Sequence, residues 1–413
     1  RYEGAMQSDV IIIGGGLVGM ALALALDAHG LTSAVVDAAD LDATLAPGFD
    51  GRASAIASAP ARMLRAIGLG QVLDDHGCAI NQIRVTDGLS PLHLHFDART
   101  EGAAADPLGY MLENRLLRVA LMAAAKPAKN VSVFAPARVA DIRREATGAT
   151  VTLADGTELR APLVIAADGR RSMVREGAGI RVSSWRYPQT AIVTMIGHER
   201  PHDSIAFELF YPTGPFAILP LKGVPQAPNR SAIVWSIEND DAPGYTKLGP
   251  RALAAEIDKR IGGFLGKIEL IAPSSSYPLG FHHAETYSAE RLLLIGDAAH
   301  GIHPIAGQGL NMGLRDVAAL AQVLVESARL GLDLGAPAVL ARYSAWRRFD
   351  NSMVAGVTDA LNRLFALKGR GPALVRRLGL AGVERIAPLK ARFMAEARGE
   401  TGDLPALLHG ELV

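Results

Sequence analysis

Three acids and two glycine-rich loops mark where this sequence could do chemistry. Asp297 follows the apolar run Leu292-Leu293-Leu294-Ile295 through Gly296, and a loop with Gly301, Pro304, Gly307 and Gly309 comes next. Near the N-terminus, Gly14, Gly16 and Gly19 spell G-x-G-x-x-G, and Asp37 stands further on. Between these two lies Asp168-Gly169. A carboxylate accepts hydrogen bonds from hydroxyls. The start of a helix offers unpaired backbone N–H groups and a partial positive charge. Acid and helix start together suit a ligand rich in hydroxyls, phosphate or electron density.

The elements that must hold these residues can be read from the same stretches. Asp9-Val10-Ile11-Ile12-Ile13 reads as a strand buried on both faces, Leu17 to Ala28 as a helix, and Thr32 to Val36 as a second strand ending at Asp37. In such a βαβ unit Gly14 allows the tight turn and Gly16 lets a pyrophosphate approach the backbone. Gly19 lets helix and strand pack closely, and Asp37 takes the hydroxyls of an adenosine ribose. Leu163 to Ala167 is a further buried strand, ending in Asp168. After the second glycine loop, Leu310, Leu314, Val317, Ala321 and Leu324 recur at helical spacing. Asn114 to Ala125 is a helix with Arg115 in its first turn, where a cation does not serve the helix dipole but could reach a phosphate or ribose.

From Ser183 to Tyr287 the character changes. Strand-like runs at Thr190–Ile196, Ile205–Tyr211, Phe216–Leu219 and Ala232–Ile237 are punctuated by Pro and Gly, and one helix follows, Pro250 to Ile261. Ile83–Thr86 and Leu92–Phe96 read as a hairpin through Asp87-Gly88-Leu89-Ser90. Beyond Gly335 the chain is mostly helical. The fold class is therefore α/β: a Rossmann-like domain, an inserted mixed and largely antiparallel sheet, and a C-terminal helical region.

Composition excludes several classes. At 413 residues, 49% apolar and 20% charged, the chain is globular, and a net charge of +0 gives no electrostatic argument for nucleic acid. Cys78 is the only cysteine, so no disulfide framework exists and a cytoplasmic setting fits. His300-x-x-His303 and His282-His283 lack a carboxylate cluster, so no metal site is expected. No apolar run reaches the ~18 residues of a membrane span. Arg1–Ala5, ahead of Met6, read as a remnant without function.

The three motifs, in this order, resemble the FAD-dependent aromatic hydroxylases of the para-hydroxybenzoate hydroxylase type, over almost the whole chain. His303-Pro304-Ile305-Ala306-Gly307-Gln308-Gly309-Leu310-Asn311-Met312-Gly313-Leu314-Arg315-Asp316 is similar to the ubiquinone-biosynthesis branch of that family. The resemblance implies an FAD domain of residues 1–78, 108–181 and 286–335, a substrate domain of 79–107 and 182–285, and a helical region of 336–413. It implies that Gly14, Gly16, Gly19, Asp37, Arg52, Arg115, Asp168 and Asp297 bind FAD. Pro304, Gly307, Gln308, Gly309, Leu310 and Asn311 would lie along the flavin pyrimidine edge.

It further implies NAD(P)H as a transient reductant, since no second G-x-G-x-x-G exists to hold one. The reaction would hydroxylate the ring of a polyprenyl phenol through a flavin C4a-hydroperoxide. No residue stands out as the base for the phenol, and Tyr211, Tyr277 and His300 are unranked candidates. The alternatives are hydroxylation of a small soluble aromatic, saturation of a prenyl chain on the same flavin fold, or a non-catalytic FAD-bearing subunit. Leu, Phe and Arg in Ala360–Leu367 and Ala373–Leu380 suit either peripheral contact with the inner face of the membrane or packing on protein. Partners would then be a ubiquinone-biosynthesis complex or a second copy of the chain.

Overall fold

The computed structural model describes residues 6–46, 52–90, 93–101, 106–301, 308–348 and 387–413. The unalternated apolar runs become one six-stranded sheet, in the order Ser288–Ala289, Leu292–Leu294, Leu163–Ala166, Val10–Ile13, Ser33–Val36, Val131–Phe134. All neighbours pair parallel except Ser288–Ala289, which runs antiparallel at the edge. Every residue of Leu292–Leu294, Leu163–Ala166 and Val10–Ile13 is buried, as a sheet covered on both faces requires.

Two helices, Leu17–Asp27 and Gln308–Arg329, pack on this sheet and on each other. Small residues permit it. A Cβ on Gly19 would lie 1.9 Å from the Gly14 carbonyl oxygen, and one on Gly313 would lie 2.6 Å from the Val18 side chain. Gly14 itself adopts φ +110°, a conformation that glycine takes without strain.

The second body is a nine-stranded, largely antiparallel sheet. Its centre is the sequence Val182–His198, flanked by Arg230–Glu238 and Ser275–Ala284. Gly214–Leu221 and Ile205–Tyr211 continue it, and Gln82–Asp87 joins by parallel pairing to Ile205–Tyr211. The expected hairpin forms, Gln82–Asp87 against His93–Asp97. Two strands are longer than their sequences suggest. Val182–His198 begins eight residues before the apolar run, and Ser275–Ala284 carries Pro278 and Gly280, both poor strand formers. Between Arg186 and Thr190 the pairing shifts, so that Tyr187, Pro188 and Gln189 stand opposite Leu279. Proline, which has no N–H to donate, sits where the ladder is broken.

Alternation assigns each face of this sheet a different neighbour. On one face Ile192, Ile196, Leu209, Phe216, Ile233 and Trp235 pack with Leu253, Ile257 and Ile261 of the helix Pro250–Ile261. The opposite face carries Met195, Ala206, Phe210, Ala217, Leu219 and Ala232. It packs with Met111 and Cys78 of a three-stranded sheet and with Met394 of the helix Ala387–Ala397. That second face is the inward one, since Ala191 on it packs with Met312 of the helix Gln308–Arg329. Among the described residues no helix is long and apolar enough to cross a membrane.

Candidate active site

Because the strands Leu292–Leu294, Leu163–Ala166, Val10–Ile13 and Ser33–Val36 are parallel neighbours, their carboxyl ends share one edge. That edge brings together Asp297, Asp168, the Gly14–Gly19 loop and Asp37, which lie far apart in sequence. Ligands of open parallel sheets bind there.

Asp37 ties the edge together. Its Oδ2 accepts from the Gly15 N–H at 2.7 Å and its Oδ1 from the Ala39 N–H at 2.8 Å. A Cβ on Gly16 would meet nothing within 4 Å, so the backbone at the helix start faces open space. Gly15, Gly16, Thr44 and Arg118 line a small hollow beside it. Arg115 donates through Nη1 to the Leu45 carbonyl at 3.4 Å, and its buried Nε has no partner among the described residues. Asp168 accepts weakly from the Val174 N–H at 3.3 Å, and its buried Oδ1 also lacks a described partner. Open space beside Gly16, an acid with an orphaned oxygen and an arginine with an orphaned Nε together fit a phosphate- and hydroxyl-rich group such as FAD.

Asp297 lies in a short 3-10 turn, Gly296–Ala298, with its side chain exposed. Three groups hold that turn. The His282 Nε2 donates to the Asp297 carbonyl at 2.7 Å, Arg175 donates to the Ala298 carbonyl at 2.9 Å, and the Gly296 N–H donates to Asp316 Oδ2 at 2.9 Å. Burial pushes His282 down to about 4, with the Asp297 carbonyl opposing, so its ring is neutral near neutral pH.

Asp316 is the centre of a buried network. His300 Nε2 donates to its Oδ2 at 2.6 Å and Arg347 Nε to its Oδ1 at 2.8 Å. Burial pushes this carboxyl up, but His300 and Arg347 outweigh that by charge and hydrogen bonding and hold it well below the usual carboxylate range. His300, one of the three candidate bases, is 1% exposed and committed to this network.

Tyr211 donates from its hydroxyl to the Arg260 carbonyl at 2.7 Å. It packs among the outer cluster beside Phe216, on the face covered by the helix Pro250–Ile261. Tyr277 pairs with Ala191, whose cluster includes Met312 of the long helix, so it belongs to the inward face. Burial raises its hydroxyl, and the neighbouring Arg52 charge partly offsets this. Arg52 also accepts, through its carbonyl, from the Asn114 N–H at 3.1 Å.

Gln308 and Gly309 open the helix Gln308–Arg329, with Leu310 half-buried behind them. Asn311 is buried and bridges to another strand. Its Oδ1 accepts from the Ala57 N–H at 2.9 Å and its Nδ2 donates to the Ala55 carbonyl at 2.8 Å. Its amide therefore fixes the helix against Ala53–Ala57 rather than projecting outward. Pro304 and Gly307 lie outside the described residues, as do Ala360–Leu367 and Ala373–Leu380. Among the described residues no cluster of ligands could hold a metal ion.

Sequence reasoning missed Arg170, Arg175, His282, Asp316 and Arg347. Arg170 donates to the Gly280 carbonyl at 3.1 Å, joining the Asp-Gly motif to the second sheet. With Arg171, Arg186, Trp185, Phe281 and His282 it lines an open cleft of about 540 Å³. Trp185 stacks on Phe281 with ring centroids 4.0 Å apart. Only Asp316 had a sequence signal: it is an acid lodged in the apolar pattern of its own helix, directly before Val317.

A family model described as FAD binding domain matches residues 7–352. The chain is 50% identical to ubiquinone hydroxylase UbiL of Rhodospirillum rubrum over 95% of this chain and 90% of that protein. It is 34% identical to the 3-demethoxyubiquinol 3-hydroxylase of Escherichia coli over 95% of this chain and 98% of that protein. Its fold matches the crystal structure of p-nitrophenol 4-monooxygenase PnpA from Pseudomonas putida with a TM-score of 0.80 at 19% identity, covering 97% of this chain and 100% of that one. By the matched model and by these relatives, the chain belongs to the FAD binding domain family, alongside ubiquinone hydroxylases.

Proposed function

We propose that the protein is an FAD-dependent, NAD(P)H-consuming monooxygenase that adds one hydroxyl to the aromatic ring of a polyprenyl phenol in ubiquinone biosynthesis. The observation that carries this reading is the shared edge where Asp37, the Gly14–Gly19 loop, Asp168 and Asp297 meet, joined to the second sheet through His282 and Arg170. Bound FAD supplies the dioxygen chemistry that no side chain provides. The chain's residues bind, orient and exclude water. The helix Leu17–Asp27 directs N–H groups at the pyrophosphate through Gly14 and Gly16. Asp37 takes the adenosine ribose, Arg115 the phosphate side and Asp297 the ribityl hydroxyls. The start of the helix Gln308–Arg329 stabilises negative charge at the flavin pyrimidine edge by about 0.3–2 kcal/mol.

The likeness to ubiquinone hydroxylases supports a prenylated rather than a small soluble substrate. Each buried tail carbon contributes up to about 0.8 kcal/mol, so the tail dominates affinity while the ring sets the chemistry. The arginine-lined cleft suits the phosphates of the reductant, with the Trp185–Phe281 stack as a platform for a ring. Contact with the inner face of the membrane, assembly with other enzymes of the pathway and self-association extend this reading. Flotation on anionic liposomes checks the first of them, and a chain that stays in solution in that assay removes it.

The test of the reaction supplies NAD(P)H and labelled dioxygen with short- and long-tailed phenols. One labelled oxygen in the product, with better coupling for the longer tail, is expected. Label from water overturns the mechanism, and equal efficiency on a soluble benzoate overturns the substrate class.

A further inference from the structure

The inward face of the second sheet carries one acid that nothing above uses. Glu208 lies in the strand Ile205–Tyr211, opposite Ala217 on one side and Val85 on the other. Its neighbours along the same face, Ala206 and Phe210, belong to the inward cluster, while Phe207 and Leu209 point to the outer one. Alternation therefore turns Glu208 inward. It is 6% exposed. Among the described residues no group donates to its carboxyl, and burial alone pushes it up to about 7.

The side chains around it are small. Ala217 and Val234 extend its row across the sheet, and Ala206, Ala232 and Ala191 lie on the same face. The other ionisable groups on that face are Asp87 and Glu238 at strand ends, Tyr187, Tyr277, and Arg230, which is paired with Glu113 at 2.9 Å. The small sheet packed against it adds Cys78, and the helix Ala387–Ala397 offers Phe393 and Met394. A carboxyl enclosed in apolar surroundings without a donor is costly, and such groups cluster at functional sites.

We propose that Glu208 receives the hydroxyl of the phenolic substrate, accepting its hydrogen bond and taking its proton. The inference rests on the reading that the substrate is a phenol. In this step the phenol O–H bond breaks and an O–H bond forms on the carboxylate. The electron pair stays on the phenol oxygen, so the ring becomes more electron-rich toward an electrophilic oxygen. The proton returns to the product oxygen. A carboxyl near 7 is a far better match to a phenol near ~10 than an ordinary glutamate near ~4.3.

The test compares wild type with Glu208→Gln, which keeps the shape and removes the base, and Glu208→Asp, which keeps the base one methylene back. FAD-loaded full chain is titrated with a short-chain prenylphenol, followed by flavin absorbance, and then turned over with NAD(P)H across about pH 5–9. The expected result for Glu208→Gln is unchanged FAD content and flavin reduction, at least ~10-fold weaker phenol binding, and about 100-fold less hydroxylated product with peroxide released instead. The rise of wild-type hydroxylation with pH should vanish in Glu208→Gln and return in Glu208→Asp. Wild-type rates and pH profile in Glu208→Gln overturn the proposal, as does loss of FAD or of flavin reduction, which would make Glu208 a scaffold residue. Should wild type bind phenol yet hydroxylate none, the reaction reading falls and the titration alone decides: weaker binding in Glu208→Gln upholds the anchor, equal binding overturns it. Wild type that binds no phenol overturns both.

Discussion

Two enclosed carboxyl groups, one under each sheet, are provided for in opposite ways. Asp316, fully buried, accepts from the Gly296 N–H, from His300 and from Arg347. Glu208, nearly as enclosed, faces alanine, valine and phenylalanine, and no described group donates to it. Both are buried, at 0% and 6% exposed, and the consequence is reversed. Where donors fill the lone pairs, a buried acid is a fastener, and removing one partner leaves an uncompensated charge. Where they do not, the charged form is held at a disadvantage until a ligand supplies the missing donor.

The largest expected effect breaks the fastener. Asp316→Ala strands Arg347 in the core and should cost about 3–5 kcal/mol, read as a lower melting temperature and lost FAD. Smaller, and opposite in sign, is Glu208→Gln. The carboxyl moves from 4.5 to about 7 on folding, so relieving it should stabilise the chain by up to about 3 kcal/mol at pH 8. The variant would thus melt higher while hydroxylating less; equal melting at pH 8 would show that Glu208 is solvated.

The pH slopes separate the two acids. Between about 4.5 and 7 the folded chain holds a proton on Glu208 that the unfolded chain has released, so this contribution falls as pH rises. Asp316 is depressed, so its contribution is present above the ordinary aspartate range and is lost as pH falls through it. Denaturant melts of Asp316→Asn and Glu208→Gln against pH should diverge from wild type in opposite directions.

Next in size is Asp297→Ala. Loss of charge-assisted bonds worth about 1.5–3 kcal/mol should weaken FAD binding roughly 10- to 150-fold, measured by flavin release. Tyr211→Phe should have the smallest effect. It removes one bond to Arg260 at a cost of about 1 kcal/mol and should leave hydroxylation and peroxide release unchanged, because Tyr211 is on the outer face. A coupling defect in that variant would overturn the assignment of faces.

The same contrast explains what the sequence disclosed. The parallel sheet announces itself because Val10–Ile13, Leu163–Ala166 and Leu292–Leu294 are short, wholly apolar and followed closely by glycine or aspartate. The chemistry there lies at strand ends, where the chain must turn. The placement of Gly14, Asp37, Asp168 and Asp297 at strand ends is thus legible from spacing, while the role of Asp168 rests on the family resemblance. Glu208 sits inside a strand, and its facing depends on pairing with Ala217 and Val85, which the local sequence does not reveal. Arg347 and His282 reach Asp316 and Asp297 across the fold, and no periodicity signals that. The strand Ser275–Ala284 was hidden by Pro278 and Gly280, because tertiary pairing overrode local propensity.

The broken ladder at Tyr187–Gln189 sets a phase for everything beyond it. One continuous strand carries Trp185 and Arg186 at the cleft and Ala191, Val193 and Met195 on the inward face. Side chains alternate with a period of two, so the number of residues looped out between Arg186 and Thr190 decides which face the second half presents. Adding a single residue there would leave the cleft intact and turn Ile192, Thr194 and Ile196 inward in place of Ala191, Val193 and Met195. The small-residue surface would become a bulky one, and the two halves of the strand, each still well formed, would no longer serve the same molecule.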